Sequence, residues 1–120
     1  LAMLEGMTFQ SYLAYEKARV LGVGMEKIIL TGGGARSEVM LQLRADVFNM
    51  KTATVTTTES GTLGCMLLAA TAMGKYKSLR EGLGRAVRIR KEYAPDPEKH
   101  AYYMQRYEKY KKLYELMHEF

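Results

Sequence analysis

The run Ile28-Ile-Leu-Thr-Gly-Gly-Gly-Ala-Arg-Ser37 constrains the fold of this chain more than any other segment. Glu26-Lys-Ile-Ile-Leu-Thr31 is a short series of β-formers bounded by glycine on both sides, which predicts a strand. Gly32, Gly33 and Gly34 forbid its continuation. Ser37 is then placed to cap a helix whose apolar positions Val39, Met40, Leu43, Val47 and Phe48 recur at helical spacing, with Asn49 as its stop. A strand that enters consecutive glycines and leaves as a capped helix is physically an anion cradle. Glycines remove the side chains that would hold a phosphate or ribose off the backbone, and the first-turn amides of the helix carry partial positive charge toward it. A tight strand-to-helix turn is also a sufficient reason for three glycines, so the motif alone leaves both readings open. Two commoner phosphate motifs fail. No Lys follows the last glycine as a P-loop requires, and the G-x-G-x-x-G frame from Gly32 puts Ser37 where the third glycine should stand.

The flanking segments predict an α/β order. Leu1, Leu4, Met7, Ala14, Ala18 and Leu21 keep the spacing of one helix face, and Phe9, Leu13 and Val20 widen it as in a largely buried helix ended by Gly22 and Gly24. Residues 51–58 are dominated by β-branched side chains and predict a strand. The Ala- and Met-rich stretch to Met73 predicts a close-packed helix, with Gly61, Gly64, Ala69 and Ala70 letting it approach a neighbouring backbone and Cys65 packed as a small buried hydrophobe. Ser78 caps a short helix to about Arg85. Residues 87–93 alternate in the period of a half-exposed strand, and a long helix runs from Pro97 to the end at 120. On that helix Tyr103, Tyr107, Tyr110, Tyr114 and Met117 form one stripe, expected to dock on the protein's own core with hydroxyls reaching a polar edge.

The net charge of +5 rests on cations gathered in residues 80–91 and 99–112, read as element ends and a solvated helix face. One cysteine excludes an internal disulfide framework, and no apolar run approaches the roughly 18 residues of a membrane span. These features predict a cytoplasmic protein with no membrane and no nucleic-acid partner. The chain opens as if inside a helix, without a capping residue, which suggests a piece of something longer.

The whole chain resembles the FGGY family of carbohydrate kinases. Leu4-Glu-Gly-Met-Thr-Phe9 is similar to the family's helix upstream of its nucleotide loop, Leu30-Thr-Gly-Gly-Gly-Ala-Arg-Ser37 to its adenosine motif, and Gln42-Leu-Arg-Ala-Asp-Val47 to the helix that follows. Leu63-Gly-Cys-Met-Leu-Leu-Ala-Ala70 resembles the family's L-G-A-A-x-L-A-A helix with Cys65 and Met66 in place of two alanines, and Tyr93-Ala-Pro-Asp-Pro97 with the tyrosine-rich tail resembles xylulokinases. The resemblance implies an actin-like, ribonuclease H-like ATPase fold, of which residues 1–120 supply the C-terminal portion of the second domain, with residues 97–120 as a long helix packed on it. It implies ATP or ADP as the nucleotide, Mg²⁺ in the whole enzyme, and a pentulose such as D-xylulose bound by a preceding N-terminal part. Glycerol, gluconate, ribulose and rhamnulose kinases share the pattern.

Carried over by position, Gly32, Gly33, Gly34 and Ala35 are nucleotide-binding through their backbone. Ser37 stands where relatives use Asn; its shorter side chain serves as cap, as nucleotide contact, or both. The family's catalytic Asp lies before this chain, so no catalytic residue is nominated here. Asp46, Glu59, Glu81 and Asp96 have no partner at a spacing that suits acid–base work, and His100 and His118 have no metal-ligand neighbour. A second reading makes the basic, tyrosine-rich tail a non-catalytic interaction module. Leu1, Leu4 and Met7 are expected to expose apolar surface and favour a homodimer.

Overall fold

The computed structural model describes residues 2–57 and 59–118, the side chain of His118 excepted, and the expectations on Leu1, Thr58 and residues 119–120 lie outside them. Its elements are helix α1 (Ala2–Val20), strand β1 (Lys27–Leu30), a 3₁₀ turn (Gly33–Arg36), α2 (Glu38–Phe48), β2 (Lys51–Val55), α3 (Ser60–Ala72), α4 (Leu79–Ala86), β3 (Ile89–Tyr93) and α5 (Pro97–His118). The sheet order is β1-β2-β3, with β1 and β2 parallel and β3 antiparallel to β2. An α/β unit with parallel strands joined through α2 follows from the strand–glycine–helix–strand order of the sequence.

The stops and starts have local causes. Gly22 takes φ +84° after α1 and Gly74 takes φ +76° after α3, conformations that disfavour any Cβ. Asn49 adopts the left-handed conformation at φ 50° and ends α2, with its amide on the Ala45 carbonyl. Ser78 Oγ accepts from the Glu81 amide at 3.2 Å and caps α4. Asp96 does the same for α5, accepting from the amides of Glu98 at 3.0 Å and Lys99 at 3.3 Å, so the proline-flanked turn is a helix cap.

The core sits where α1, α2 and α5 meet, built on Phe9, Leu43, Val47, Phe48 and Tyr107. Tyr107 is 1% exposed, its ring 5.7 Å from Phe9 and 5.0 Å edge-on from Tyr12. The tyrosine stripe docks inward with hydroxyls at a polar edge: Tyr107 donates to Glu16 at 2.5 Å and Tyr110 to Gln10 at 2.8 Å. Burial and the Glu16 carboxylate push the Tyr107 hydroxyl far above its usual range. Met117, at the end of the stripe, is exposed.

Arg106 closes the other end of the α1–α5 contact, donating from Nε at 3.1 Å and Nη2 at 2.6 Å to the buried Glu5 carboxylate. Asp46, 2% exposed, accepts from Gln42 at 2.8 Å and from the Asp96 amide at 2.9 Å, and its carbonyl meets the His100 ring at 2.9 Å. Its role is structural: it ties the turn that launches α5 to α2.

Several expectations differ from the structure. Helix α1 is not largely buried; only Glu5, Thr8 and Phe9 are, while Val20 stands 87% exposed, because α1 packs chiefly along the side that meets α2 and α5. Leu4 packs against the core rather than lying bare, whereas Met7 is exposed as expected. Helix α3 is not close-packed. A Cβ at Gly61 or Gly64 would meet nothing within 4 Å, Leu67 is its one buried residue among those described, and the Cys65 thiol is exposed rather than buried. The close approach is instead at Gly82 of α4, where a Cβ would stand 3.1 Å from Leu67 and 3.0 Å from Tyr76. Of residues 51–57, only Lys51–Val55 form strand, and β3 begins at Ile89 rather than Val87. Val39, although in phase with the apolar face of α2, is exposed. The radius of gyration, 17.4 Å, exceeds the roughly 13–14 Å of a compact chain this long, in keeping with helices packed on few sides.

Candidate functional site

The glycines lie at the carboxyl end of β1, where open α/β sheets place ligands. Gly32 has φ 75° and ψ −161°, a conformation essentially reserved for glycine, and it turns the chain sharply out of the strand. The next four residues coil into the 3₁₀ turn, with the Ala35 amide on the Gly32 carbonyl at 3.1 Å and the Ser37 amide on that of Gly34 at 3.3 Å. Ala35 is buried beneath the turn. Gly33 and Gly34 are exposed; a Cβ at Gly33 would meet nothing within 4 Å, and one at Gly34 only a Leu30 methyl at 4.0 Å. Backbone conformation therefore explains Gly32, while neither conformation nor packing inside the chain requires a glycine at Gly33. Bare backbone facing outward is what a ligand lying on the turn requires.

Ser37 is a cap. Its Oγ accepts from the Met40 amide at 3.3 Å, and the first helical backbone bond runs from the Leu41 amide to the Ser37 carbonyl at 3.1 Å. The positive end of the α2 dipole thus opens beside the glycines. Of the residues nominated for nucleotide contact, Gly32, Gly33, Gly34 and Ala35 form one continuous turn and Ser37 closes it.

One neighbour of the turn was not singled out from sequence. Ser60, the first residue of α3, donates its hydroxyl to Thr31 Oγ1 at 3.1 Å, joining the start of α3 to the end of β1. Because β1 and β2 are adjacent and parallel, the segments leaving their carboxyl ends lie side by side, and Thr31 with Ser60 marks where they meet. Glu59 precedes α3 without a side-chain capping bond, so a second helix N-terminus opens at the same edge. The signal was available in the strand order, which the sequence alone does not print.

The carboxylates are elsewhere. Asp46 and Asp96 serve α5 as described, and Glu81 accepts from the Lys77 amide at 2.9 Å at the start of α4. No group of three or more His, Cys, Asp or Glu able to hold a metal occurs among the described residues. No described helix is long and apolar enough to cross a membrane.

Residues 1–73 match the C-terminal domain of the FGGY family of carbohydrate kinases. A xylulose kinase of Staphylococcus epidermidis is 32% identical over 113 residues, 94% of this chain and 23% of that protein. An autoinducer-2 kinase of Salmonella paratyphi B is 32% identical over 94 residues, covering 78% of this chain and 18% of its own. The crystal structure of gluconate kinase from Lactobacillus acidophilus superposes with a TM-score of 0.86 at 31% identity, over 97% of this chain and 23% of that one. The chain spans less than a quarter of the length of these relatives. The match over residues 1–73 and the agreement of backbone place it in the FGGY family of carbohydrate kinases, as that family's C-terminal domain on an actin-like ATPase fold.

Proposed function

We propose that this chain is the nucleotide-binding segment of an ATP-dependent sugar kinase, and that residues 32–35 hold the adenosine and α-phosphate end of ATP or ADP. The observation that carries this reading is the bare, outward-facing backbone of Gly33 and Gly34 beside the α2 N-terminus, in a turn for which the chain's own packing supplies no other reason at Gly33. The backbone amides bind and orient the nucleotide, while Ser37 sets the first turn of α2. Mg²⁺, when present in the whole enzyme, neutralises charge on the phosphates. The acceptor sugar and the base that takes its proton belong to parts of the kinase outside these residues, so the chain by itself is inactive.

The preferred acceptor is a pentulose such as D-xylulose. Support comes from the xylulose kinase similarity over 94% of the chain, and the gluconate and autoinducer-2 kinases among the relatives are the competing acceptors within the same chemistry. We also place the protein in the cytoplasm, where ATP is abundant. Calorimetric titration with ADP tests the nucleotide reading: weak binding is expected, and Gly33→Asp, which sets a carboxylate on the open face, abolishes it. Binding that survives Gly33→Asp, or robust sugar phosphorylation by these 120 residues alone, contradicts it.

A further inference from the structure

The sheet carries one irregularity, and it lies beside the glycine turn. Strands β2 and β3 pair Thr54 with Lys91 and Val55 with Ile89, which leaves Arg90 as an extra residue without a partner across the ladder. In a regular strand, neighbouring side chains point to opposite faces. A bulge breaks that alternation and re-aims a side chain. Here Arg90 and Lys91, adjacent in sequence, both line one pocket of about 260 Å³, which Ala35 and Arg36 of the glycine turn also line.

The pocket is cationic. Arg36, Arg90 and Lys91 contribute three positive charges and Glu38 one negative. The Glu38 carboxylate accepts from Lys91 Nζ at 2.6 Å and is held below its ordinary pKa first by that hydrogen bond and also by the charge of Arg90, while Lys91 is raised by the same contact. Lys91 also lies 5.0 Å over the Tyr93 ring. Both members of the Lys91–Glu38 pair are largely exposed, at 51% and 71%, so the pair is a weak one that a better anion can replace. Guanidinium forks match the oxygens of a phosphoryl group, and the volume lies below the ~300 Å³ where whole-ligand pockets begin.

We propose that this pocket is an anion subsite for a phosphoryl or diphosphoryl group, in which Glu38 is an internal anion that the incoming phosphate displaces. The subsite stands apart from the nucleotide reading, since its cations come from the bulge in β3 and from Arg36 and its occupancy does not require the open face of Gly33. Its ligand is either the distal phosphates of a nucleotide on the turn or a separate phosphate-bearing compound.

Titration of the chain with inorganic pyrophosphate at low salt tests the proposal. Arg90→Ala and Arg36→Ala are each expected to weaken binding about tenfold, as loss of a charge-assisted bond implies, and Glu38→Gln to strengthen it several-fold. Lys75→Ala, remote from the pocket, leaves it unchanged. Absence of pyrophosphate binding in both the wild type and Glu38→Gln overturns the subsite, as does binding indifferent to Arg90→Ala. Adding ADP then separates the sources: displacement of pyrophosphate assigns the subsite to the nucleotide's own phosphates, and simultaneous binding assigns it to a separate compound, with the subsite standing in either case. Gly33→Asp keeps pyrophosphate binding while removing that of ADP, so the two readings fail independently.

Discussion

Two helical regions of the molecule are held very differently. Where α1, α2 and α5 meet, the rings of Phe9, Tyr12, Phe48 and Tyr107 interlock and buried Glu5 and Asp46 have their partners inside the chain. In α3 and α4 the contact narrows to Leu67 against Gly82, and Met66, Leu68 and Met73 face outward. The first region is a core that the chain completes for itself. The second shows that small, apolar helix sequence does not create a close-packed helix unless a surface is present to receive it, and its apolar residues remain available for one. The glycine turn stands between the two, anchored to the first through α2 and to the second through Thr31 and Ser60.

The comparison breaks most visibly under truncation. Phe9→Ala should cost about 3–5 kcal/mol in urea unfolding, as for a buried aromatic, whereas Leu67→Ala should cost about 2 kcal/mol and appear mainly as faster hydrogen exchange in α3 and α4. Equal and global losses from both would mean that the two regions form one cooperative core. Next in size is an alkaline effect confined to the first region. Because the folded-state pKa of Tyr107 is raised above its ordinary 10.0, its contribution is fully present below that pH and is lost as pH rises toward the folded-state value. Melting temperature should therefore fall above pH 10, and Tyr107→Phe should blunt the fall; a flat alkaline profile contradicts the Tyr107–Glu16 contact.

Smaller effects test the turn between them. Gly32→Ala should cost about 1–2 kcal/mol because φ is positive, while Gly33→Ala should leave stability almost unchanged. If thermal unfolding ranks them the other way, the turn has a different backbone. Ser37→Ala should cost about 1 kcal/mol, the usual worth of a helix cap, and little ADP affinity. A large loss of affinity with intact stability would make Ser37 a ligand to the nucleotide rather than a cap.

Much of this was legible in the sequence because it depends on local chemistry. Strand β1, the glycine turn, the caps at Ser37 and Ser78, the stop at Asn49 and the inward tyrosine stripe follow from residues within a few positions of one another. The failures share a cause. Apolar content predicts burial of α1 and α3, yet burial depends on what lies opposite: Val20 and Cys65 are exposed, and a Cβ at Gly64 would meet nothing within 4 Å. The Thr31–Ser60 link and the Arg90 bulge depend on strand order and register, which spacing along the chain does not encode.

The most direct test of the nucleotide turn is to follow the backbone amide resonances of the chain while ADP is added. Shifts concentrated at Gly33, Gly34 and Ala35 and in the first turn of α2, with α5 unmoved, are the predicted result. Shifts absent from the glycines, or confined to the tyrosines of α5, would contradict it.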